Sequence, residues 1–161
     1  VDGDGLEEVL IGAPYSQYPS SVGQVYLVTG ASLAGTTSLD LADADTLFVG
    51  EDSDNMAGWS VAASDVNGDG FSDLLMGAYG NDDGGSDAGK IFMMYGSSLF
   101  SSGYDLDLHY ADHKFYGSSS GSPDWHTRYA QLVPLATSRS KQQTMPESIM
   151  STRTNGIWQP Y

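Results

Sequence analysis

The chain has 161 residues and carries 21 acidic against 6 basic side chains, for a formal net charge of −15. This excess of negative charge disfavours nucleic acid phosphates and anionic membranes, so we expect no nucleic acid partner. The chain contains no cysteine, which excludes a fold stabilised by disulfide bonds. No run of about 18 apolar residues occurs, so we also expect no membrane span in this chain.

The charge is unevenly distributed. Residues 1–125 hold 20 of the 21 acidic and 2 of the 6 basic residues. They also hold 19 of the 20 glycines. Two explanations of the acidic excess stay open: some carboxylates are ligands of a cation, and others form a solvated acidic surface.

Short apolar runs alternate with turns rich in glycine, serine and aspartate along the first three quarters of the chain. This pattern predicts an all-β protein, and no stretch shows a sustained helical period. In chain order, the predicted strands cover residues 8–13, 23–29, 47–50, 59–64, 74–78 and 90–95. Residues 23–29 are apolar on both faces, as is typical of a strand packed between neighbouring sheets. Residues 47–50 are predicted to form an edge strand.

The loop between the fourth and fifth predicted strands carries oxygen-bearing side chains at alternate positions. Positions 1, 3, 5 and 9 of this loop are Asp65, Asn67, Asp69 and Asp73. Position 7 is Phe71, which can offer its backbone carbonyl, and two glycines supply the positive φ that a tight curl needs. A hard cation such as Ca²⁺ takes roughly 6–8 oxygen ligands, and without one the clustered carboxylates would raise each other's pKa. The loop therefore predicts a calcium site, with a plain Asx-rich turn as the alternative.

The same pattern occurs twice. Residues 1–14 align with residues 66–79, which places Asp2, Asp4 and Glu8 on the positions of Asn67, Asp69 and Asp73. After a one-residue insertion, residues 23–30 align with 89–96, and residues 48–50 then align with 115–117. A repeat of this length containing several strands indicates a propeller or a solenoid.

The repeated motifs resemble the FG-GAP repeat. They are Phe48-Val49-Gly50, the segment Ala57–Ala62, the aspartate loop and Leu74–Ala78, and Gly12-Ala13-Pro14 carries the GAP element itself. The resemblance covers about residues 1–125. It implies the β-propeller of integrin α subunits and of many secreted proteins, in which each repeat forms one four-stranded blade.

The resemblance also implies which residues hold calcium. The first set of ligands is Asp65, Asn67, Asp69, Phe71 through its carbonyl, and Asp73. The second, truncated set is Asp2, Asp4, Leu6 through its carbonyl, and Glu8. In the second set, the residue equivalent to Asp65 would lie before Val1, so we expect the chain to be a fragment of a longer protein.

We accordingly predict a partial β-propeller of about two FG-GAP repeats followed by a tail. Residues 1–50 are a partial repeat, residues 51–117 are a complete repeat with its calcium loop at 65–73, and residues 118–161 are a degenerate third repeat or a non-native tail. In that last segment, Arg139, Lys141 and Gln143 replace the first three calcium ligands, and two cations there would repel Ca²⁺.

No catalytic constellation is predicted. Residues 117–121 fit the pattern G-x-S-x-G around Ser119, but the sequence that follows starts no convincing helix, which a nucleophile elbow requires. His109, Asp112 and His113 would form a metal cluster only on a helix, and the local pattern is extended.

The expected function is a calcium-binding propeller module of a secreted or cell-surface protein, without enzymatic activity of its own. Its partners would be a protein or glycan ligand bound by the full propeller and the neighbouring blades of the parent chain. The alternative is an accessory propeller of a secreted hydrolase or lyase whose catalytic domain lies outside this chain.

Overall fold

A computed structural model describes residues 1–17, 19–99 and 105–118. The predictions for Arg139, Lys141, Gln143, Ser119 and a third repeat fall outside these residues. The described strands are β1 Val9–Ala13, β2 Gln24–Val28, β3 Thr46–Val49, β4 Ala57–Ser64, β5 Asp73–Ala78, β6 Lys90–Met94, β7 Asp105–Asp107 and β8 His113–Tyr116. Two four-residue helices, α1 Gly30–Leu33 and α2 Gly96–Leu99, and two 3₁₀ helices, Leu41–Asp43 and Leu108–Tyr110, lie between them. The all-β prediction is confirmed.

The strands form two four-stranded sheets. The first sheet has the order β1–β2–β3–β7, and the second has the order β4–β5–β6–β8. All neighbouring strands are antiparallel except β3 and β7, which are parallel. The aspartate loop joins β4 to β5 within the second sheet, so both of its ends are held by one hydrogen-bonded hairpin.

The repeat seen in the sequence recurs in the structure. β6 lies 66 residues after β2, with both ends in register, and α2 follows α1 at the same spacing. β8 and the second 3₁₀ helix follow β3 and the first 3₁₀ helix at a spacing of 67. Hydrogen bonds repeat as well: the amide of Thr29 donates to Asp45 at 2.7 Å, and the equivalent amide of Tyr95 donates to Asp112 at 2.8 Å.

The structure corrects two details of the strand prediction. β3 is not an edge strand, because β7 pairs with its outer side over three residues. β7 lies inside the predicted second repeat but belongs to the first sheet, so the two repeats interlock rather than forming separate sheets. The reason is long-range: Leu106 of β7 packs against the buried core, which includes Phe48 of β3, and no local pattern encodes that partner.

The core lies within and between the two sheets. It contains fully buried apolar side chains from β2, β3, β5 and β6, namely Val25, Leu27, Phe48, Leu74, Met76 and Phe92. The sheets also approach each other closely through backbone atoms at β4. Gly58 has φ +86°, and a Cβ atom there would lie 2.5 Å from the carbonyl oxygen of Gln24, so only glycine fits.

The described helices have three or four residues each, and none of them could cross a bilayer.

Candidate metal site

The aspartate loop at residues 65–73, called the second loop from here on because it follows the loop at residues 1–8, is anchored at its ends by a buried carboxylate. Asp73 is the first residue of β5 and is fully buried. Its Oδ2 atom accepts the amide of Val66 at 2.8 Å, and its Oδ1 atom accepts the amide of Gly96, the first residue of α2, at 3.0 Å. A charged acceptor strengthens both bonds, so Asp73 joins the start of the loop to the helix after β6.

Asp65 closes the first half of the same loop. Its carboxylate accepts three backbone amides: Gly68 at 2.6 Å, Asp69 at 3.1 Å and Gly70 at 3.0 Å. Gly68 and Gly70 have φ of +81° and +93°, the left-handed conformation that turns these amides inward. The curl is therefore organised around the carboxylate at position 1.

Two successive Asx turns form the middle of the loop. Asn67 Oδ1 accepts the amide of Asp69 at 2.9 Å, and Asp69 Oδ1 accepts the amide of Phe71, also at 2.9 Å. The amide of Phe71 and the Asn67 side chain hold the pKa of Asp69 below its ordinary value. The pKa of Asp69 is therefore lowered and not raised as expected, because these donated hydrogen bonds outweigh the effect of burial.

The first loop, at residues 1–8, repeats this geometry. Asp2 Oδ1 accepts the amide of Asp4 at 3.0 Å, and Asp4 Oδ1 accepts the amide of Leu6 at 2.7 Å. The amino terminus of Val1 donates to Glu8 Oε2 at 2.6 Å, at the position where the amide of Val66 donates to Asp73 Oδ2. The amide of Asp4 likewise holds the pKa of Asp2 below its ordinary value, so here too the pKa is lowered and not raised as expected.

The first loop brings three of its four acidic side chains together. Asp2, Asp4 and Glu8 each offer a carboxylate oxygen, and these oxygens lie within 4.8 Å of one another. Glu8 Oε1 is buried and has no hydrogen-bond partner among the described residues. A buried oxygen without a donor costs about 1–3 kcal/mol, and a cation beside the cluster would remove that cost. The residues present thus fit a hard, oxygen-preferring cation.

The two loops satisfy their position 9 carboxylates differently. Both oxygens of Asp73 accept backbone amides, whereas one oxygen of the equivalent Glu8 has none. Of the described residues, only those of the first loop place three His, Cys, Asp or Glu ligand atoms close enough to share one ion. The assignment of all nine residues as ligands stays a prediction: Asp65, Asn67, Asp69, Phe71 and Asp73 in the second loop, and Asp2, Asp4, Leu6 and Glu8 in the first.

A second charged cluster lies between the sheets and was not predicted. The carboxylate of Glu51, just after β3, accepts hydrogen bonds from Lys90 of β6 and from Lys114 of β8. Lys90 also bonds Asp83 Oδ2 at 2.7 Å. These side chains line a cavity of about 420 Å³. Lys90 and Lys114 follow Glu51 by 39 and 63 residues, and a contact over such a separation gives no signal in the sequence.

Electrostatics in this cluster favour the charged forms. Burial would raise the pKa of Glu51, but the bonds from Lys114 and Lys90 hold it below its ordinary value. Lys90 likewise lowers the pKa of Asp83. Burial would lower the pKa of Lys90, yet Asp83 and Glu51 raise it above its ordinary value.

His109 and His113, which sequence analysis did not favour as a metal cluster, take separate partners. His109 Nδ1 lies 3.5 Å from Glu51 Oε1, whereas His113 Nε2 is 2.8 Å from the Tyr95 hydroxyl. Within the described part of the chain they do not group with Asp112 as ligands of one ion.

Comparison with known proteins agrees with the motifs. Residues 57–92 match the FG-GAP repeat family. The chain is 34% identical over 104 residues to integrin alpha-7 of Homo sapiens and 34% identical over 107 residues to integrin alpha-PS2 of Drosophila melanogaster; each match covers 62% of this chain. It is also 30% identical over 114 residues, or 68% of this chain, to phosphatidylinositol-glycan-specific phospholipase D of Bos taurus. These matches span only 8%, 7% and 13% of the three relatives.

Proposed function

Because this chain carries an FG-GAP repeat and is similar in sequence to integrin α chains, we propose that it is a calcium-binding β-propeller module. The observation that supports calcium binding is the shared geometry of the two aspartate loops. Both place oxygen side chains in successive Asx turns at equivalent positions. In both, a position 9 carboxylate accepts a hydrogen bond from the main-chain nitrogen of the loop's valine, which is the amino terminus in the case of Val1. An all-oxygen donor set on an irregular loop suits Ca²⁺ better than Mg²⁺, which demands a near-ideal octahedron.

Calcium, when bound, would neutralise the clustered carboxylates of each loop. The side chains of the loop would then fix its conformation and its position on the sheet. In the second loop, Asp65 and Asp69 hold the curl, and Asp73 ties it to β5 and α2. Because such a site forms only when the hairpin is folded, the free energy of ion binding adds to the free energy of folding.

The role in the whole protein is adhesion or the binding of a protein or glycan ligand at the surface of a cell or outside it. Similarity to integrin α chains supports this role. Calcium sites of extracellular modules commonly bind at about 10⁻⁴–10⁻³ M, which suits the millimolar calcium outside cells. In this proposal the module itself carries out no catalysis.

The similarity to a phospholipase D supports a second candidate, an accessory propeller beside a catalytic domain. The full reading frame of the parent protein discriminates between the two. A separate domain with a catalytic constellation would favour the accessory role, whereas further repeats followed by a membrane anchor would favour adhesion.

Thermal unfolding with and without calcium tests the metal site. We expect Ca²⁺ to raise the melting temperature of the parent chain and to raise that of Asp69→Ala clearly less. Asp43→Ala is the matched control, because Asp43 is exposed and lies on the first 3₁₀ helix, outside both loops. Equal gains for the parent chain and for Asp69→Ala would overturn the assignment of this loop.

A further inference from the structure

The second loop contains an asparagine followed by a glycine, the pair in which the main chain attacks an asparagine side chain most readily. Asn67 is at position 3 of the loop, and Gly68 follows it. Both residues are exposed. Apart from the neighbouring residues, no atom lies within 4 Å of the place that a Cβ of residue 68 would occupy. The pair is therefore open to solvent and is not crowded by the rest of the protein.

The Asx turn at Asn67 brings the reacting atoms into one ring. Asn67 Oδ1 accepts the amide of Asp69 at 2.9 Å. The ring that this hydrogen bond closes contains both Asn67 Cγ, the atom that is attacked, and the nitrogen of Gly68, the atom that attacks. The N–H group of Gly68 donates to Asp65 Oδ1 at 2.6 Å, so an acceptor for its proton is already in place. The loop thus holds the pair in a folded conformation from which a succinimide ring can close.

Asn81 makes the same turn in a protected setting. Its Oδ1 atom accepts the amide of Asp83 at 3.1 Å. Asn81 is only 1% exposed, and the residue that follows it is Asp82, whose side chain crowds the nitrogen that would attack. Asn55 is buried as well. Among the residues that the structure describes, Asn67 is thus the one asparagine that is exposed and followed by glycine.

We propose that Asn67 is a site of spontaneous deamidation, and that its conversion to aspartate strengthens calcium binding by the second loop. The nitrogen of Gly68 forms a bond to Asn67 Cγ, the bond from Cγ to Nδ2 breaks, and ammonia leaves with the proton that the nitrogen loses. Water then opens the succinimide. Attack of water at Cγ gives aspartate, whereas attack at the main-chain carbonyl carbon gives isoaspartate, which lengthens the backbone of the loop by one methylene.

Aspartate at this position gives the second loop the residue that the first loop carries at the equivalent position, Asp2. Asn67 Nδ2 donates to Asp69 Oδ2 at 3.0 Å, and a carboxylate in its place would bring two negative charges together. A bound cation relieves that repulsion, and the number of charged ligands is one of the factors that set calcium affinity. This effect on affinity rests on the proposed calcium function, whereas the deamidation itself does not.

Mass spectrometry of the full chain in EDTA tests the modification. One sample is incubated folded at neutral pH and another in urea, where the fold protects no asparagine. After several times the period that converts half of Asn67 in urea, peptide mapping should find most of Asn67 converted in the folded chain and Asn81 intact. Asn67→Gln, whose side chain would have to form a larger ring, should stay unchanged at this position. A folded chain in which Asn67 is as intact as Asn81 would overturn the proposal.

Calorimetry of the Asn67→Asp chain tests the effect on calcium. We expect its second loop to bind Ca²⁺ about tenfold more tightly than that of the parent chain, and its melting temperature in EDTA to be lower. Ser53→Asp adds the same charge at an exposed position outside both loops and should bind calcium as the parent chain does. If the parent chain binds calcium and Asn67→Asp binds it no more tightly than Ser53→Asp, the effect on affinity is refuted. A folded parent chain that binds no calcium would refute the proposed function and this effect with it, and the mass spectra in EDTA would still decide the deamidation.

Discussion

Replacing Glu51 by glutamine tests whether the charged cluster holds the two sheets together. Glu51 follows β3 of the first sheet, and its carboxylate bonds Lys90 and Lys114 of the second sheet. Lys90 has a side chain only 2% exposed, so its charge depends on protein partners rather than on water. Glutamine keeps the shape of the side chain but removes its charge.

The expected loss of stability follows from the hydrogen bonds that change. Bonds to charged groups contribute roughly 1.5–3 kcal/mol each, against about 1 kcal/mol for neutral ones. Glutamine has one acceptor oxygen, so in Glu51→Gln one of these two bonds is weakened and the other is lost, which predicts a loss of about 2–5 kcal/mol. Lys90 is not left as an unpaired buried ion, which by itself costs roughly 3–5 kcal/mol, because Asp83 still pairs with it.

Urea unfolding of the parent chain, Glu51→Gln and Glu7→Gln measures this loss by linear extrapolation. Glu7 is an exposed glutamate and controls for the same chemical change. If Glu51→Gln loses no more stability than Glu7→Gln, the cluster does not join the sheets and the reasoning is refuted.

The pH dependence of the same difference gives a second readout. The pKa of Glu51 is lowered in the folded protein, so its stabilisation is present above its unfolded pKa of about 4.3 and is lost as pH falls through the folded value. The stability gap between the parent chain and Glu51→Gln should therefore be constant near neutral pH and shrink below about pH 4. A gap that does not change with acid would contradict the charge-based account.

Two further substitutions test the sheet contact and the loop anchor. Gly58→Ala should lower stability several times more than Gly35→Ala. Gly35 has a similar φ of +80°, but no atom lies within 4 Å of a Cβ added there. Equal losses in urea unfolding would count against the close approach of the sheets at Gly58. Asp73→Asn should cost about 2–4 kcal/mol even in EDTA, because its NH₂ group must face one of the two N–H donors that the buried carboxylate satisfies. An Asp73→Asn chain as stable as Asp43→Asn would show that the anchor is unimportant.

Local pattern was sufficient to predict much of this architecture. The alternation of short apolar runs with glycine-rich turns predicted β1 to β6 nearly in place, and the repeat spacing predicted which strands correspond. These signals are local or come from the repeat itself. The positions of the aspartate loops followed equally directly, because alternate oxygens around two glycines impose Asx turns whether or not an ion is bound.

Contacts between distant segments were not predictable in the same way. The pairing of β7 with β3 joins residues far apart in the chain, and three residues of period-2 sequence carry no information about their partner. The Glu51 cluster was missed for the same reason. Acidic residues in a turn are usually exposed to solvent, whereas the side chain of Glu51 is nearly buried. The lowered pKa of Asp69 depends on where backbone amides point, which only the folded loop fixes.

Isothermal titration calorimetry of Ca²⁺ into the folded chain tests the central claim most directly. We predict saturable binding with a dissociation constant on the order of 10⁻⁴–10⁻³ M, with fewer sites in Asp69→Ala and also in Asp4→Ala. Asp43→Ala should bind as the parent does. A chain that circular dichroism shows to be folded, but that gives no heat beyond dilution at millimolar calcium, would contradict the account.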